Sequence, residues 1–225
     1  DRSEDEKPFH CDEVRRSLAD FDPAADFEAA NTARTVDPRS LGIALDKLLP
    51  ENRNMVFDAG NFLGIVPYLS VPGPDHFKLT NDFASIGIGF GTALGVAKAR
   101  PDSTTVLVIG DGGFMMNSQE LETAVRLKLD LVVLILRDDG YGMIKWKQND
   151  MDFQDFGLDF GNPDFVDYAR SYGAYGHRVE STAGLAPLVE ECYQTGGVHV
   201  IDCRVNYADN NRILNQEIRE LSSKL

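Results

Sequence analysis

The chain has 225 residues, 43% of them apolar, and carries 22 basic against 36 acidic side chains for a formal charge of -14. That apolar share excludes a chain left disordered for want of a core, and the length allows one large domain or two small ones. No apolar run approaches the roughly 20 residues that cross a bilayer, and an acidic surplus argues against nucleic acid, whose phosphates require a basic face.

Residues 1–37 are rich in charge, with short helical stretches broken at Pro23, and read as a linker or extension from a preceding domain. They show no basic and then apolar leader pattern. Cys11, Cys192 and Cys203 are far apart and lack CxxC spacing, which predicts reduced thiols in a cytoplasmic compartment, with no disulfide framework and no zinc site. From 38 to 208 helices and strands alternate. SLGIALDKLL has helical spacing and NMVFDAG reads as a buried strand ending in a glycine turn. His76 falls in a proline-rich loop and reads as a solvated loop histidine. ASIGIGFGTALGVAKA, residues 84–99, suits a buried helix with close backbone approaches. Strand TVLVI, helix SQELETAVRLK and strand LVVLIL follow, then helix DFVDYARSY, strand GHRVE, helix GLAPLVEECYQ and strand VHVIDCRV. Residues 209–225 read as an amphipathic helical tail. Strands apolar throughout and separated by helices predict an α/β domain, a doubly wound parallel sheet with helices on both faces.

In that architecture ligands sit beyond the carboxyl ends of the strands. The loop after TVLVI is Gly110-Asp111-Gly112-Gly113-Phe114, in which a carboxylate between glycines suits a hard cation beside a phosphate. Asp138 follows Asp111 by 27 residues, at the end of LVVLIL and just before Gly140. One βαβ crossover between them would bring both carboxylates to one sheet edge, where magnesium takes one or two carboxylates and shares substrate phosphates. Asn117 and Glu120 have capping-box spacing and are expected to open the intervening helix toward an anion. His177 and His199 have no partner at metal-ligand spacing, and Cys192 and Cys203 read as small core residues. The acidic stretch 149–164 reads as an active-site lid or surface loop.

Gly-Asp-Gly with a second ligand 27 residues on resembles the thiamin-diphosphate and magnesium motif of thiamin-dependent enzymes. GDGGFMMNSQELETAVRLKLDLVVLILRDDGYGMIKWKQ is similar to acetolactate synthase large subunits, and the similarity runs from about residue 37 to the VHVIDCRVNY segment. Trp146 after GYGMIK and the closing CRVNYADN look closest to the catabolic, flavin-independent type. The resemblance implies Asp111, Asp138 and the Gly140 carbonyl as magnesium ligands. It implies Gly110, Gly112 and Gly113 at the diphosphate, with Tyr141, Gly142 and Met143 in the same cofactor loop. Ala84-Ser85-Ile86-Gly87 matches the family's Gly-x-apolar-Gly element, with the Ala84 carbonyl on the cofactor's 4′-amino group and Ile86 as the wedge that bends it. Ile86, Met143 and Trp146 would face the thiazolium and the substrate.

Two departures stand out. The family's second ligand is normally asparagine, and here it is Asp138; and where acetolactate synthases carry glutamine and histidine near the diphosphate, this chain has Asn61. The implied activity is decarboxylation of pyruvate and carboligation to a second small 2-oxo acid. The alternatives are another thiamin-dependent decarboxylase, an aldehyde lyase, or a non-catalytic assembly or regulatory domain. The family's activating glutamate comes from a pyrimidine-binding domain of a neighbouring subunit, so the expected assembly is a homodimer or homotetramer and this chain alone should be inactive.

Overall fold

Four apolar runs are long enough to be buried on both faces and form the centre of one sheet. The computed structural model describes residues 11–20, 22, 25, 28–80, 83–209, 220 and 223. The strands are β1 (Arg53–Phe57), β2 (Phe77–Leu79), β3 (Thr104–Gly110), β4 (Leu131–Arg137), β5 (Tyr175–Val179) and β6 (Val198–Arg204). All pairings are parallel and the order is β2-β1-β3-β4-β6-β5. Every residue of β1 is buried, as are five of seven in β3 and six of seven in both β4 and β6. The edge strands, by contrast, expose Lys78 and Arg178. The doubly wound α/β fold predicted from the alternating pattern is the fold observed.

Helices α1 (Asp12–Ala19), α2 (Pro38–Leu48), α3 (Ile88–Ala99), α4 (Asp111–Asn117), α5 (Leu121–Arg126), α6 (Gly142–Asp150), α7 (Phe165–Ser171) and α8 (Leu185–Thr195) connect them. One face of the sheet packs on α2, α8 and the 3-10 segment Asn61–Tyr68, around Leu41, Phe57, Phe62 and Ile201. The other packs on α3, α4, α5 and α7, around Phe90, Phe114, Leu121 and Phe165. Each such side chain taken out of water contributes about 1.5–3 kcal/mol, so the two layers together offset the ordering of the chain.

Four local expectations are corrected. Residues 84–87 are not helical: Ala84 and Gly87 have φ of 54° and 92°, a backbone no helix continues through, and α3 begins only at Ile88. The helix after β3 begins at Asp111, directly off the strand, and a 3-10 turn Ser118–Glu120 divides α4 from α5. Asn117 therefore makes no cap; its amide donates to the Gly87 carbonyl at 3.0 Å. The proline-rich loop contains a strand, β2, which three residues of edge pairing make too short to announce itself in sequence, and beside it His76 bonds the Arg53 carbonyl at 3.1 Å.

Residues 28–37 lie against this domain. Val36 bridges Val205 in parallel, and the buried Asp37 caps α2 by accepting from the Arg39 amide at 2.8 Å. The tail predicted over 209–225 falls outside the described residues except at 209, 220 and 223.

Candidate active site

From β1 the chain moves outward to β2, returns to β3 and then builds in the other direction. The carboxyl ends of β1 and β3 therefore border the crevice that such a reversal leaves in a parallel sheet. An open cleft lies there. Asn61, Ile86, Gly110, Asp111, Gly112, Gly113, Asp138, Gly140, Tyr141, Gly142 and Met143 all line it. Of the residues singled out in sequence, Ala84, Ser85 and Trp146 do not: Ala84 is exposed, Ser85 half-buried, and Trp146 one turn further along α6. Ala59, Gly60, Phe62, Leu136, Ile144 and Tyr207 complete the wall without having been anticipated.

Asp111 is 1% exposed, and its carboxylate is aimed by three donors. The Gly112 amide reaches Oδ1 at 2.9 Å, while the Asp139 amide and the Asn162 side chain reach Oδ2 at 2.8 and 2.7 Å. Burial raises its pKa against these bonds. The Asp138 carboxyl is pushed up to about 7, by burial first and then by the negative charge of Asp111. Nearby arginines are taken by other acids: Arg137 pairs with Asp202 and Asp139, and Arg204 with Asp139. Although burial pushes it upward, Asn162, Arg204 and Arg137 hold the Asp139 carboxyl below its ordinary value. The cleft thus carries two mutually repelling carboxylates, an oxygen donor set that fits a hard divalent cation and is relieved by one.

Space is reserved for backbone and ligand alike. A Cβ on Gly112 would meet the Tyr141 ring at 2.8 Å, and one on Gly142 would strike the Asp138 carboxylate. Gly140 bridges Asp159, and the Tyr141 amide donates to the Leu158 carbonyl at 3.0 Å, so the far end of stretch 149–164 braces the loop that follows Asp138.

Asp58, fully buried at the end of β1, joins these parts. Its Oδ2 accepts from the Gly87 amide at 2.7 Å, and its Oδ1 from the Gly89 amide at 3.0 Å and the Thr80 hydroxyl at 3.3 Å. A Cβ on Gly113 would collide with the same carboxylate. With Asn117 holding the Gly87 carbonyl, the turn that presents Ile86 is fixed from both sides. Burial raises the Asp58 pKa, opposed by those amides. Asp58 and Asn162 were missed as site residues because their partners lie 29 and 51 positions away.

Residues 58–203 match the family model described as "Thiamine pyrophosphate enzyme, C-terminal TPP binding domain". The chain belongs to that family. This TPP-binding domain is 36% identical over 145 residues to "Acetolactate synthase" of Bacillus subtilis (strain 168), covering 64% of the chain and 25% of that relative. It is 32% identical over 174 residues to "Acetolactate synthase, catabolic" of Raoultella terrigena, covering 77% and 31%. The chain thus spans between a quarter and a third of the length of these relatives. Among solved structures, the thiamine diphosphate-dependent 4-hydroxybenzoylformate decarboxylase of Rhodococcus jostii RHA1 shares the fold at a TM-score of 0.74 and 22% identity, over 80% of this chain and 34% of that one.

Proposed function

We propose that this chain supplies the diphosphate- and magnesium-binding half of a thiamin-dependent enzyme acting on small 2-oxo acids, of the acetolactate synthase type. The observation that carries the reading is the convergence of Asp111 and Asp138 on a cleft walled by Gly112, Gly113 and the Gly140 loop. Asp111, Asp138 and the Gly140 carbonyl would hold magnesium, and the glycines would let backbone approach the diphosphate. The metal answers the excess negative charge that the two carboxylates and a -14 chain impose on an anionic ligand. Ile86, on the turn that Asp58 and Asn117 hold, sets the shape a bound cofactor must adopt, and Met143 and Tyr141 shield that side from water. Thiamin diphosphate, when bound, supplies the carbanion chemistry; this domain contributes geometry and charge neutralisation.

Calorimetry on the protein assembled with its pyrimidine-binding domain tests this. Thiamin diphosphate should bind only with magnesium present, Asp111→Ala should abolish binding, and Asp138→Asn should keep it because an amide oxygen fills the same position. Binding indifferent to Asp111→Ala would favour the non-catalytic reading.

A further inference from the structure

The geometry points to a second, sulfur-containing metal site for a zinc-class divalent ion, formed by His177 Nε2, His199 Nδ1 and Cys192 Sγ between α8 and the β5–β6 edge. It is independent of the cofactor cleft. In sequence these histidines have no partner at metal-ligand spacing, and the fold brings them together: parallel pairing of β5 with β6 sets Tyr175 beside His199 and His177 beside Ile201, so both imidazoles share one face of the sheet. Cys192 descends on that face from α8, and one ligand atom from each of the three side chains lies within 4.8 Å of the others.

Several features suit these atoms to a metal. His177 Nε2 and His199 Nδ1 are 3.0 Å apart. His199 Nε2 lies 3.0 Å from the Gly196 carbonyl, a contact that requires the ring proton on Nε2 and leaves the Nδ1 lone pair facing the cluster. Metal-binding histidines are oriented by this kind of second hydrogen bond. Tyr175 stacks on His199 at 4.7 Å between centroids, and the His177 and His199 rings lie within 15° of parallel with centroids 5.2 Å apart, which restricts ring rotation. Burial lowers both histidine pKa values, keeping the rings neutral as ligation demands, while burial and the Glu191 charge push the Cys192 thiol up to about 12, so the thiolate forms only as the metal displaces its proton. Tetrahedral zinc sites space nitrogen and sulfur ligands roughly 3.3–3.8 Å apart, so closure asks for movements of about an ångström. Two imidazoles and a thiolate select zinc or cobalt over magnesium. Binding releases the Cys192 thiol proton to solvent, and the His177 proton that now lies between the rings moves to its Nδ1. Water takes the fourth position.

Cobalt(II) titration of the full chain, with thiols kept reduced by a phosphine and magnesium in excess to fill the oxygen site, reads the cluster directly. We expect about one cobalt per chain, with a sulfur-to-cobalt charge-transfer band that zinc displaces. The band should vanish in Cys192→Ser, persist in Cys203→Ser and Asp111→Ala, and require at least about tenfold more cobalt in His177→Gln. No band in the unmodified chain, or one unchanged in Cys192→Ser or in His177→Gln, overturns the proposal. His177→Gln alters an edge-strand side chain, so it keeps the test decisive even if Cys192→Ser misfolds.

Discussion

The Asp58 carboxylate accepts hydrogen bonds from Gly87, Gly89 and Thr80 while Gly113 packs against it. Asp58→Asn turns one acceptor oxygen into a donor facing an N–H that is already a donor. It should cost about 1–3 kcal/mol of stability, read from urea unfolding, and weaken thiamin diphosphate binding at least several-fold because the turn under Ile86 loosens. An unfolding midpoint and affinity both equal to the parent's would contradict this positioning role. Asp111 and Asp138 were legible because the chemistry lies in adjacent strand ends and a fixed spacing. Asp58, Asn162 and the His177–His199 pair were not, since each finds its partner only through strand order and register. The spacing of Asn117 and Glu120 misled in the opposite direction: local capping chemistry lost to a helix that starts seven residues earlier, at Asp111, where the backbone itself is needed.

Among the elements, α2 depends on an ion pair at its start. Arg39 donates to Asp37 through Nε at 3.1 Å and Nη2 at 2.7 Å, and Asp37 also accepts from the Ala30 amide at 3.0 Å. Burial alone would push the Asp37 carboxyl up, but Arg39 and the two amides hold it below its ordinary 3.8. A carboxyl held low stabilises the fold in full above its unfolded value, and that stabilisation disappears as pH falls through the still lower folded one. Asp37→Ala should therefore cost about 3–5 kcal/mol at neutral pH, by leaving a guanidinium 10% exposed without its main counter-charge. Thermal melts should find the gap to the parent constant from pH 7 to pH 5 and narrowing progressively at lower pH, most steeply below the ordinary value of 3.8. A gap that narrows between pH 7 and pH 5 would assign the stabilisation to another group. The central strands were readable from continuous apolar runs, which only a sheet covered on both faces buries. Strand β2 and the non-helical turn before α3 were not, the first for its brevity and the second because its conformation is imposed by Asp58 and Asn117 from outside the segment.

At the scale of the molecule, a chain that spans 25% and 31% of two acetolactate synthases presents a cleft open to one side. On the proposed reading this chain holds the diphosphate, and the aminopyrimidine would face water unless a second domain covers it. Purified by itself, the chain should form no acetolactate from pyruvate under saturating cofactor and magnesium, and adding the pyrimidine-binding domain should restore turnover; robust activity of the isolated chain would refute the division of labour. Fold and candidate ligand edge were legible at this scale because alternation of helix and strand determines where a parallel sheet binds ligands, whereas on the proposed reading an acceptor would be chosen by surfaces outside this chain. One further property follows from all six strands running the same way. The sheet is a polarised body, with the cofactor cleft at its carboxyl end and the Gly196–Gly197 turn some 20 Å away at the amino end of β6. A fluorophore, surface tether or fused reporter attached at this amino end, on the exposed Asp102 just before β3, would leave both the cleft and the Gly196 carbonyl beside His199 undisturbed, which makes the amino end the natural handle for immobilising or tracking this domain while its ligands are titrated.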